Sequence, residues 1–163
     1  MVIESNIAAE QLLNQFEASC KMVGDAIENV PEQLWTKSIG SWFYASTIYH
    51  LIETMDFYCR DDYESMVFGE RAGYNWDDVK DVENDILPLI SKNLVSDYLT
   101  EMEEKLSSFL SNVSTDELFG KDGFYWFESV YHKMLYLLRH TQHHIGELAV
   151  TLRSLKADPI KWT

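Results

Sequence analysis

The amino-acid sequence predicts an all-α fold, a four-helix bundle with a long crossover connection between helices 2 and 3. Three observations predict it. Apolar residues recur at helical spacing in four long segments, and strand-like alternation is almost absent. Only seven Gly and three Pro occur in 163 residues, too few for a turn-rich architecture. The irregular stretch between the second and third segments is long, as a bundle crossover requires. At 19.0 kDa, with 46% apolar residues and no linker or repeat, residues 1–163 read as a single domain able to bury its own core.

The first segment runs from about Asn6 to Asn29, with Leu12, Leu13, Phe16, Met22, Val23 and Ile27 at helical spacing. Val30-Pro31 ends it, because a residue before Pro is driven out of the α region. Pro31 to Trp35 then reads as a short helical turn with Pro at its first position. Ser41 is a plausible N-cap for the second segment, which runs through Trp42 to about Arg60. The stretch from Asp61 to Ser96 is less regular, with a short acidic helix expected from Asp77 to about Ile86 and disturbed by Pro88. Ser96 is expected to cap the third long helix, from Asp97 to about Asn112, with Leu99, Met102, Leu106, Phe109 and Leu110 on one face. Ser114-Thr115-Asp116-Glu117 fits a capping box. The longest pattern, Phe124 to about Leu155, predicts the last helix, and Pro159 follows it.

Charge excludes several functions. Twenty-seven acidic against thirteen basic residues give a net charge of −14. Such a surface repels phosphate backbones and anionic membranes, so no nucleic-acid or membrane partner is expected. No apolar run approaches the roughly 20 residues of a membrane span. The start, MVIESNIAAEQLL, has neither a basic region nor an apolar one, so no signal peptide is expected. Cys20 and Cys59 lie far apart without a CxxC and read as reduced thiols of a cytoplasmic protein.

Acidity leaves cation binding open, and three of the five histidines lie within His140-Thr141-Gln142-His143-His144. Residues four apart share a helix face, so His140 and His144 can grip one metal ion; His143 could instead pair with His140. At about 100° per residue from Met134, the core stripe contains Val130, Leu138, Thr141, Ile145, Leu148 and Leu152. His140 and His144 fall at about 240° and 280°, on one flank of that stripe, and His143 at about 180°, opposite it. The wheel therefore favours His140 and His144 as ligands and leaves His143 exposed or at a subunit contact and His132 on the surface. A catalytic zinc usually takes three protein ligands. The natural third is His50, mid-way along the second segment among apolar neighbours. The competing reading makes these ordinary core or surface histidines. Cys59, nine residues past His50, faces away and is not expected to ligate. Trp42, Phe43, Phe57, Trp126 and Phe127 read as core. Gly146, inside the last helix, suggests either close helix packing or space beside a metal.

Trp42-Phe43-Tyr44-Ala45-Ser46-Thr47-Ile48-Tyr49-His50-Leu51-Ile52-Glu53, taken with His140-Thr141-Gln142-His143-His144-Ile145-Gly146-Glu147-Leu148, resembles the DinB/YfiT-like family. That family carries one His mid-way along its second helix and an HxxHHxGxL-type motif in its last. The ending Ala157-Asp158-Pro159-Ile160-Lys161-Trp162 is similar too. The resemblance implies a four-helix bundle, often a homodimer, with a divalent metal, nickel or zinc, on a triad that maps to His50, His140 and His144. It also implies a small-molecule substrate. Characterised relatives include bacillithiol and mycothiol transferases and maleylpyruvate isomerase, which use low-molecular-weight thiols.

Two functions follow as expectations. One is a metal-dependent S-transferase that activates a low-molecular-weight thiol cosubstrate for attack on a small electrophile. Lys133, on the ligand flank two turns before His140, would then bind substrate by meeting a carboxylate of an acidic thiol; the competing reading makes it a solvated surface lysine. The other is a non-enzymatic metal-binding or protein-interaction module of a stress response.

Overall fold

A computed structural model describes residues 6–39, 42–79 and 83–163. Its elements are α1 (Ile7–Asn29), β1 (Ser38–Ile39), β2 (Trp42–Phe43), α2 (Tyr44–Tyr58), α3 (Trp76–Val79), α4 (Glu83–Ile86), α5 (Lys92–Asn112), α6 (Thr115–Phe119) and α7 (Val130–Ser154). The protein is mostly helical, as the periodicity predicts. Helix α1 packs against α5 and α7, and α2 packs against α7 and α5. None of the described helices is long and apolar enough to cross a membrane.

Helix α1 starts as expected, with the Asn6 side chain accepting from the Ala9 N–H. Its apolar stripe, including Phe16, Val23 and Ile27, meets Met102 and Leu106 of α5 and Met134, Ile145 and Leu148 of α7 in one core. After Pro31, Glu32–Leu34 forms a 3₁₀ turn. The second long helix begins later than the sequence suggests. Trp42 and Phe43 pair with Ile39 and Ser38 in a two-residue antiparallel ladder, and Phe43 occupies the N-cap of α2. Ser41, the expected cap, lies outside the described residues.

Helix α5 starts five residues earlier than expected, capped by Ser91 and not by Ser96: the Ser91 hydroxyl accepts from the Leu94 N–H. The reason is Val95, which is fully buried and begins the stripe continued by Leu99, Met102 and Leu106. Helix α7 starts at Val130, six residues later than expected, capped by Ser129. The aromatic run before it folds as a turn that buries Phe124 and Phe127. The expected Ser114–Glu117 capping box is present in full. The acidic helix expected from Asp77 to Ile86 is described as two pieces, α3 and α4, on either side of residues 80–82.

Twelve of the fifteen residues of α2 are buried, so its polar side chains must find partners inside the protein. Two carboxylates do so. Burial pushes the Asp56 carboxyl up, but donors from Lys105, Tyr98 and Arg60 outweigh burial and hold it below its ordinary value. Glu53 reaches into the crossover, where it accepts from the Gly69 N–H at 2.5 Å and from Trp76 Nε1 at 3.1 Å. Burial dominates at Glu53 and raises its pKa. Gly69 has φ +92°, and a Cβ there would lie 2.5 Å from the Tyr74 ring, so only glycine allows this approach.

Candidate metal centre

Helices α2 and α7 bring the three expected histidines together. His50 Nε2 lies 3.2 Å from His140 Nε2, and His144 Nε2 lies 3.2 Å from the same atom. One ligand nitrogen from each of the three falls within 4.8 Å of the others. All three residues are half-buried.

The protonation state explains why this arrangement suits a cation. Burial, followed by the neighbouring histidine, lowers the His50 pKa to about 4. Burial, followed by His50 and His144, lowers that of His140 to about 3. Both rings are therefore neutral at pH 7. The Nδ1 atom of His144 lies 2.7 Å from a Glu147 carboxylate oxygen, which places the proton on Nδ1 and frees the Nε2 lone pair. One proton on His140 Nε2 can serve only one of its two 3.2 Å contacts well. At least one pair of nitrogen lone pairs then faces across the cluster with nothing between them. His140 Nδ1 is also buried without a hydrogen-bond partner among the described residues.

The spacing fits a metal as well. Tetrahedral zinc with Zn–N bonds near 2.0 Å sets its ligand nitrogens about 3.3 Å apart. Three imidazoles also suit nickel, copper or iron.

Each imidazole has its own neighbour. The Trp42 ring lies 5.1 Å from His50, and Tyr136 stacks on His140 at 6.5 Å and 20°. Glu147 holds His144. The sequence reading missed all three supports. Glu147 was legible, since it stands three residues after His144 on the same helix. Trp42 and Tyr136 were not, because nothing in their spacing says which ring they face.

No family model, curated protein or solved structure matches the chain. The site therefore rests on its own geometry.

The remaining expectations divide. His143 (side chain 66% exposed) and His132 lie on the surface, as the wheel indicates. Cys20 and Cys59 are both free thiols. Lys133, expected to meet a carboxylate, lies apart from the triad. It is 3% exposed, and its ammonium donates to Asp122 and to the Arg60 carbonyl, above the Phe124 ring. Seven residues of rise put it about 10 Å along the helix from His140, at the far end of α2. Trp42 and Trp126, expected in the core, are 40% and 42% exposed, whereas Phe127 is buried. Gly146 is exposed, and a Cβ there would meet nothing within 4 Å, so close helix packing does not explain it.

Proposed function

We propose that this chain is a divalent-metal-dependent enzyme of the DinB-like class: a four-helix bundle, homodimeric, that transfers a low-molecular-weight thiol to a small electrophile. The observation that carries the metal assignment is the convergence of three Nε2 atoms from His50, His140 and His144. The thiol chemistry rests on the resemblance of the two histidine motifs to that family.

The Nε2 atoms of His50, His140 and His144 would hold zinc or nickel. A divalent cation there supplies positive charge that favours the thiolate form of a thiol, which is the form that attacks electrophiles. The chain's own residues set up the site. Glu147 keeps the His144 proton on Nδ1. The low proton affinity of His50 and His140 keeps their nitrogens free at neutral pH. Trp42 and Tyr136 flank two of the rings, at 5.1 Å from His50 and 6.5 Å from His140.

The chain's own cysteines do not supply the nucleophile. Burial pushes both the Cys20 and Cys59 thiols up to about 12. The reacting thiol therefore comes as a cosubstrate. In the overall transfer its sulfur bonds to the electrophilic carbon as that carbon's bond to chlorine or to the epoxide oxygen breaks; chloride leaves with the bonding pair and the thiol proton goes to solvent, or the opened epoxide oxygen keeps the pair and takes a proton.

A single-turnover assay tests this, with zinc- or nickel-loaded protein, bacillithiol, and a chlorinated aromatic or an epoxide. Thioether forms in the native chain and falls to background in His144→Ala. Full metal loading without thioether above that background rejects the transferase and leaves the non-enzymatic metal-binding module.

A further inference from the structure

The crossover carries a device that the metal centre alone does not explain. Glu53 is a carboxylate only 1% exposed, and burying it is costly. It accepts from Trp76 Nε1 and the Gly69 N–H. Trp76 in turn lies 6.2 Å from Trp42, and Trp42 lies 5.1 Å from His50. Trp76 is also packed edge-on by Tyr74 at 5.0 Å. Two indoles are thus fixed in order outward from the triad, and the nearer one keeps 40% of its surface in solvent. Orienting a ligand ring needs only the Trp42 contact. The buried carboxylate and the glycine-only backbone approach stiffen the outer partner as well.

We infer that Trp42 and Trp76, braced by Glu53, form a stacking subsite for a planar, uncharged aromatic group on a ligand that reaches the triad. A rigid indole with an exposed face gains from offset or edge-on ring contact at little entropic cost. The Glu53 carboxyl is 1% exposed and turned to the Gly69 N–H and Trp76 Nε1, so it offers no charge to a ligand stacked on the outer faces of the indoles. A cation would also face the charge of a bound metal. In this assignment Glu53 is a positioning residue and touches no ligand. The ligand's reach to the triad rests on the metal-centre reading; the stacking does not.

The test uses the full chain, labelled at its five indole N–H groups, titrated with nitrobenzene and followed by NMR with and without one equivalent of zinc. Saturable shifts confined to Trp42 and Trp76 are expected. Trp42→Ala weakens binding about tenfold, and Glu53→Gln weakens it less while moving the Trp76 indole signal of the unliganded protein. His144→Ala keeps the nitrobenzene shifts and loses the zinc. Shifts at Trp126 or Trp162 instead, shifts that do not saturate, or unchanged affinity in Trp42→Ala overturn the subsite. Loss of zinc binding in the native chain with the indole shifts intact overturns the metal centre and leaves the subsite standing.

Discussion

At the scale of single residues, the site works by controlling where protons are not. His50 and His140 are denied protons by burial, and His144 is held in one tautomer by Glu147. Carboxylates that hold a ligating His typically contribute 10- to 100-fold in metal affinity. Glu147→Ala is therefore expected to weaken zinc binding by about that factor, measured by competition with a chromophoric chelator, while His140→Ala abolishes it. The same pKa values fix a pH dependence of the metal-free protein. Unfolded histidines titrate near 6.5, whereas His50 and His140 titrate at about 4 and about 3 when folded. Below pH 6.5 the unfolded chain takes up protons that the folded one refuses, so stability falls as pH drops from 6.5 toward 3. Urea denaturation of the metal-free chain shows that fall, and His50→Gln makes it shallower. Gly146 gives an independent check. Because its Cβ position is open, Gly146→Ala is expected to raise stability by about 1 kcal/mol in the same assay.

At the scale of elements, α2 determines the arrangement. It is buried on nearly every side, carries one histidine of the triad, and uses two buried carboxylates to hold its neighbours. Asp56 ties it to α5 through Tyr98 and Lys105. Removing one partner of a buried ion pair typically costs about 3 kcal/mol or more. Asp56→Ala should lower the urea midpoint accordingly, with Tyr98→Phe costing less. The long helices were legible because their stripes are periodic, and the α6 capping box because that motif is local. The helix starts that shifted did so through tertiary effects. Val95 is buried by its neighbours, which extends α5 back to Ser91. Phe124 and Phe127 are buried as a turn, which delays α7 to Val130. Trp42 and Phe43 pair as a short ladder because Ile39 and Ser38 are there to meet them, a contact no helical wheel contains.

At the scale of the whole molecule, the two histidine segments are 90 residues apart in sequence, yet both were identifiable. His140 and His144 share a helix flank by spacing alone, and His50 was the one remaining histidine among apolar neighbours. What spacing could not convey was the direction of the support. Lys133 lies on the same flank of α7 but too far along it, and the Arg60 carbonyl and Asp122 hold it there. The net charge of −14 repels anions broadly, while the candidate centre is built from imidazoles, with His50 and His140 neutral at pH 7. The core of Met134, Leu148 and Ile52 forms without the triad. Chelation should therefore strip the metal with far-UV helicity unchanged, as in an open site and unlike a structural one.

The most direct test of the central claim is metal stoichiometry at pH 7, by inductively coupled plasma mass spectrometry and calorimetric titration of protein made without a histidine tag. One tightly bound equivalent of zinc or nickel per chain is expected, lost in His50→Ala, His140→Ala and His144→Ala and kept in His143→Ala. No binding by the native chain, or an equivalent that survives loss of His140, would contradict a metal centre at the triad.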